Sequence, residues 1–128
     1  MSKSPGEVVR AFVAAINAGD PSTLRELMTE DHTFTDARGN SFSGSEKMRA
    51  GWQHFFHAYP GYQINIAHTL EQGNRVALFG DASGRWRIND SIHPQRWTIP
   101  AAWLAEVEKE QIKNWTVFCD TNWVNPPV

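Results

Sequence analysis

The spacing of apolar residues changes once along this chain, from a helical repeat to strict alternation. Ser4-Pro5-Gly6-Glu7 has the form of a capping box with proline in the first turn, and Val9, Phe12, Val13 and Ile16 follow at helical intervals. A first helix is therefore predicted from about Pro5 to Ala18, stopped by Gly19. Asp20-Pro21 then caps a short second helix carrying Leu24, Leu27 and Met28. The segment HTFTD alternates, turns at ARGN and returns through Ser41 and Phe42. A third helix, about Ser45 to Tyr59, sets Met48, Trp52, Phe55, Phe56 and Tyr59 on one face before Pro60 ends it.

Beyond Pro60 the period is two. YQINIAHTLE, RVALFGDASGRWR, RWTIPAAWLAEVE and QIKNWTVFCDT read as four long strands, divided by QGN, by the loop around NDSIHPQ, and by KEQ. Helices followed by an antiparallel meander predict an α+β domain whose helices cover one face of a curved sheet. No internal repeat or linker divides residues 1–128, so one domain is expected. Met1 to Ser4 and the terminal NPPV are expected to fray.

Composition narrows the functional classes. A net charge of −2, with acidic and basic residues scattered and no Lys/Arg cluster, argues against a nucleic-acid partner. No apolar run approaches the length of a membrane span, and Arg10 within VVRAFVAAI argues against a signal peptide. A cytoplasmic protein with no membrane partner is the default expectation. The single cysteine, Cys119, excludes an intrachain disulfide and reads as an inert buried thiol. His54, His57, His68 and His93 lack metal-ligand spacing, so neither a metal nor another cofactor is expected.

Three of the six aspartates lie two residues after a phenylalanine, in Phe34-Thr35-Asp36, Phe79-Gly80-Asp81 and Phe118-Cys119-Asp120. Random placement would give roughly a third of one such pair. Residues i and i+2 of a strand share a face, so each pair offers a ring and a carboxylate to one side of the sheet. If all three face the helices, they build an apolar cavity with a few acids inside. Carboxylates there would titrate high enough to serve as acid or base near neutral pH. FTDARG is read equally well as a strand followed by a turn that the aspartate caps. The opposite strand faces, with Leu78, Ala82, Leu104, Trp115 and Val117, are too apolar for water, so a second subunit is expected to cover the outer sheet face. His32 shares a face with Phe34 and Asp36 and could pair with a carboxylate or cap the preceding helix.

These residues and this order of elements resemble the SnoaL-like proteins of the nuclear transport factor 2 and ketosteroid isomerase superfamily. The resemblance spans nearly the whole chain and is carried by AFVAAINAGD, MTEDHTFTDARGNSFSGSEKMRAGW and WTIPAAWLAEVEKEQIKNWTVFCDT. It implies a cone-shaped α+β barrel with a pocket between helices and sheet. Against ketosteroid isomerase, Asp36 is similar in place to the catalytic base, while Phe12 and Trp103 stand where the two proton donors would be. Against limonene-epoxide hydrolase, Asp120 matches the water-activating acid and Asp81 the other acid. Phe79 replaces the arginine there, and Phe34 and Asp36 replace the tyrosine and asparagine that hold the water.

The expected function is cofactor-free acid/base chemistry of the isomerase, cyclase or hydrolase type on a small apolar molecule. Asp120 would be the principal acid/base, assisted by Asp36, Asp81 and His32. Phe12, Phe34, Trp52, Phe56, Phe79, Trp103 and Phe118 would contact the ligand. A non-catalytic small-molecule binding or sensing domain is the alternative, since a phenylalanine-rich pocket binds well but polarises little.

Overall fold

The computed structural model describes residues 3–127. Its elements are α1 (Pro5–Asn17), α2 (Pro21–Glu26), β1 (Met28–Thr35), β2 (Ser41–Ser43), α3 (Ser45–Ala58), β3 (Gln63–Gln72), β4 (Arg75–Gly84), β5 (Arg87–Ile88), β6 (Ser91–Ile92), β7 (Trp97–Glu108) and β8 (Gln111–Cys119), then a 3-10 turn at Asn122–Val124. Six strands form one sheet in the order β2-β1-β8-β7-β4-β3, antiparallel except where β1 runs parallel to β8. β5 and β6 pair separately as a small hairpin.

The helix starts follow their caps. Ser4 and Glu7 close a reciprocal capping box on α1, so Ser4 belongs to an ordered helix start, in contrast to the fraying expected of it. Met1, Ser2 and Val128 lie outside the described residues. Asp20 caps α2 by accepting from the Thr23 amide and hydroxyl. Met28, expected on the second helix, instead opens β1, because Leu27 ends α2 and its carbonyl accepts from the Ile112 amide of β8. Once that bond joins the chain to the sheet, a further helical turn is excluded.

Tight turns and bulges shape the sheet. Asn89-Asp90 and Lys109-Glu110 all take positive φ, the left-handed pair of a two-residue hairpin, joining β5 to β6 and β7 to β8. Register shifts leave Ala67 of β3 and Lys113 of β8 without a partner residue and bend those strands, as bulges do. A Cβ on Gly80 would lie 1.8 Å from the Asn65 carbonyl oxygen, so the β3 bulge needs glycine on the neighbouring strand.

The core lies between α1 and the concave sheet face. Phe12, Ile16, Trp103, Ile112 and Trp115 are fully buried, and the Phe12 and Trp115 rings meet at 4.8 Å. Burying a side chain such as Phe12 contributes about 1.5–3 kcal/mol. Asn17 fixes the end of α1 to β3: its side chain accepts from the Ile64 amide at 2.8 Å and donates to the Ile64 carbonyl at 3.0 Å. Met48 and Trp52 of α3 are buried against the part of the sheet that α1 leaves open, and there a cavity remains.

Candidate ligand cavity

Register decides which strand faces line this cavity. Trp103 of β7 stands opposite Leu78 of β4 and Val117 of β8, and directly opposed residues share a face. Leu78 and Trp103 are buried and Val117 is half-buried. The next row, Phe79, Ala102 and Phe118, must then face outward. Phe79 is 41% and Phe118 52% exposed, on the outer sheet face.

Two of the three expected aspartates therefore lie away from the cavity. Asp81 points outward with Phe79 and accepts from the Asn65 side chain across the β3–β4 ladder. Asp120 is exposed and accepts from the Asn122 amide, steadying the C-terminal turn. Only Asp36 lines the cavity. The carboxylates do not converge, because three Phe-x-Asp pairs share a face only if their strands are in matching register.

The cavity measures about 530 Å³. Trp52 and Phe55 of α3 form one wall; Phe34, Ala82, Ile99 and Trp103 form the sheet wall. Tyr62 and Cys119 complete the buried side, and Thr121, Trp123 and Val124 of the C-terminal turn flank one end. The exposed lining residues, Arg38, Asn40, Phe42, Lys47 and Gly51, mark the mouth. Lys47 Nζ sits 5.8 Å from the Phe42 ring centre.

Asp36 is held at that mouth by its own turn. Its Oδ1 accepts from the Arg38 and Asn40 amides, both at 2.9 Å, which is the strand-then-turn arrangement open to FTDARG. Its Oδ2 has one long contact, 3.4 Å to Asn40 Nδ2, and so keeps acceptor capacity.

His32 is placed elsewhere. It is fully buried beside Phe12, 6.2 Å between ring centres, and is not among the cavity-lining residues. Its Nδ1–H donates to the Ile112 carbonyl at 2.7 Å, and Nε2 has no partner. Burial lowers its pKa, holding the imidazole neutral. Of the expected ligand contacts, Phe34, Trp52 and Trp103 line the cavity. Phe12 belongs to the core, and Phe56 borders a separate depression with Pro21 and Arg49.

Tyr62, Cys119 and Trp123 were missed as site residues. Burial pushes the Tyr62 phenol far above its ordinary pKa, with the nearby Cys119 adding to the effect. Burial likewise raises the Cys119 thiol, which the neighbouring Trp123 indole partly opposes. Parity with Trp115 and Val117 could have placed Cys119 inside, given that the bulkiest apolar face of β8 is the covered one. Nothing in NPPV or DTNWV signals that Trp123 would fold back.

A model of the SnoaL-like domain family matches residues 9–115. The chain belongs to this family. The sequence has no match among curated proteins. Among solved structures, a protein from Xanthomonas campestris named as a candidate polyketide cyclase is 20% identical, with 94% of this chain and 93% of that one covered at a TM-score of 0.84. A protein with a ketosteroid isomerase-like fold from Catenulispora acidiphila, solved with trimethylamine, is 23% identical over 95% and 91% at 0.78. An LEH-like epoxide hydrolase of M. tuberculosis is 18% identical over 88% and 80% at 0.75. These likenesses establish the cone-shaped α+β fold of the SnoaL-like domain. Its helices cover a curved, mostly antiparallel sheet. No helix among the described residues is long and apolar enough to cross a membrane.

Proposed function

We propose that this SnoaL-like domain binds a small, largely apolar molecule in the cone between α3 and the sheet. The supporting observation is the cavity of about 530 Å³ walled by Phe34, Trp52, Phe55, Ile99 and Trp103. Ligand sites commonly have such volume and an apolar lining with few polar groups. Thermal melting against epoxides, lactones, steroid enones and aromatic polyketide fragments tests it. Ligand at a hundred times its dissociation constant adds about 2.7 kcal/mol, a visible rise in melting temperature. A panel without any shift counts against the reading.

A second reading, acid/base catalysis of the isomerase, cyclase or hydrolase type, is favoured by one observation. Asp36 lines the cavity with Oδ2 nearly free, so it is the carboxylate able to exchange a proton with a bound molecule. Product found with wild type and absent with Asp36→Asn supports this reading. A bound ligand recovered unchanged from wild type supports binding without chemistry.

We also propose that the outer sheet face packs against a second copy of the chain. Phe79, Ala102 and Phe118 form one row across β4, β7 and β8, with Leu104 exposed on the same face.

A further inference from the structure

Charge at the cavity is confined to its mouth. Among the described lining residues the charged ones are Asp36, Arg38 and Lys47, and the wall of Phe34, Trp52 and Trp103 carries none. Arg38 belongs to the turn between β1 and β2 and Lys47 to the first turn of α3, so two separate elements each bring a cation to the opening.

Neither cation is neutralised by the described residues. Glu46, next to Lys47, gives one carboxylate oxygen to Arg25 at 3.1 Å and the other to Arg49 at 2.8 Å. Asp36 accepts from the backbone amide of Arg38 and makes no ion pair with its guanidinium. The ion pairs among the described residues use Arg25, Arg49 and Lys113 and leave Arg38 and Lys47 out. Two cations against one carboxylate give the mouth a net positive charge, whereas the chain as a whole carries −2.

That sign decides which polar end fits. An ammonium group at the mouth would meet two like charges, and Asp36 already turns Oδ1 toward backbone amides of its own turn. A carboxylate there meets opposite charge while staying in contact with water, so it avoids the cost of carrying an anion against the apolar wall. The rest of such a ligand gains by leaving water for that wall. A wholly apolar ligand draws nothing from either cation.

We infer that Arg38 and Lys47 select amphipathic organic anions, molecules whose apolar ring system enters the cavity and whose carboxylate stays at the mouth beside them. This rests on the reading of the cavity as a ligand site and adds the charge and the orientation of what enters it.

The test is calorimetric titration with a matched pair of probes, 2-naphthoate and 2-acetylnaphthalene, in which a methyl group of the ketone replaces one carboxylate oxygen. Wild type in low salt is expected to bind the naphthoate about tenfold more tightly, the value of two exposed ion pairs together. That preference should shrink as salt is added, because the cations are exposed and screened. In the double variant Arg38→Gln with Lys47→Gln the ratio of the two affinities is expected to fall to about one. Equal or weaker binding of naphthoate by wild type overturns the selection while the bound ketone leaves the cavity reading intact, and needs no variant to fold. A preference that survives the double variant overturns it as well. So does naphthoate that fails to compete with the ketone, since it would then sit on the surface outside the cavity. Binding of neither probe removes the cavity reading and the selection with it.

Discussion

The indoles of Trp97 and Trp123 stack with ring centres 4.0 Å apart, joining the start of β7 to the C-terminal turn. Phe55 of α3 and Tyr59, the residue that caps its end, meet Trp123 edge-on, and Trp86 Nε1 donates to its carbonyl at 2.8 Å. One residue thus ties the helix wall of the cavity to the sheet wall. Trp123→Ala is predicted to lower unfolding stability by about 1–3 kcal/mol, less than for a fully buried tryptophan. It should also weaken apolar ligand binding. Urea unfolding and a ligand titration of the same variant check both, and unchanged affinity would remove the C-terminal turn from the site.

Asp36 and Asp120 should respond differently to the same change. Asp120→Asn is predicted to leave ligand affinity and any turnover unchanged, since Asp120 is outside the cavity lining and asparagine keeps the side-chain oxygen that accepts from the Asn122 amide. Asp36→Asn alters a group at the mouth and should abolish any proton-transfer product. Paired assays of the two variants decide between them, and loss of activity in Asp120→Asn alone would reverse this assignment.

Stability should fall as the medium is acidified through the range of His32. The unfolded imidazole titrates near 6.5, whereas burial holds the folded one lower. Between those values the unfolded chain binds more protons, so stability rises with pH there. The His32 contribution is complete above about 6.5 and is lost as pH falls toward the folded pKa. The lowered carboxylates of Glu7, Asp20, Asp31 and Glu46 have ordinary values of 4.5 for Glu and 3.8 for Asp, so their losses occur at lower pH. Urea unfolding of wild type and His32→Gln at about pH 7.5 and about pH 5.5 checks this. An equal pH slope in both proteins would show that His32 is not its source.

Elements were legible in the sequence to the extent that their signals are local. Capping at Ser4 and Asp20, the apolar stripe of α3 and the alternation of β3, β4, β7 and β8 are written within single segments. Which face of a strand is inside is not local, because it depends on register with neighbours. Trp103 and Phe79 were both expected in the pocket, yet the β4–β7 register puts Leu78 opposite Trp103 and so turns Phe79 outward. The apolar set Leu78, Ala82, Trp115 and Val117, expected beneath a partner subunit, is instead the concave face of the cone. Asp36 lines the cavity at a place set by a local turn, which a single segment can encode.

The row of Phe79 and Phe118 gives a prediction for assembly. Phe118→Glu places a charge on the exposed apolar row and should shift a dimer to monomer without unfolding it. Light scattering and far-ultraviolet dichroism check this together. A wild type that is monomeric at all concentrations would contradict the second-copy proposal.

The central claim is that the cone cavity is where a ligand sits, and filling it tests that most directly. Ala101 lines the cavity from β7, and a larger side chain there would occupy the space between the sheet and Trp52. Calorimetric titration of 2-acetylnaphthalene into wild type and Ala101→Phe, both verified as folded, is the measurement. Saturable binding to wild type that is lost in the filled variant is the predicted result. Equal binding to both would place the ligand outside the cavity and would contradict the account.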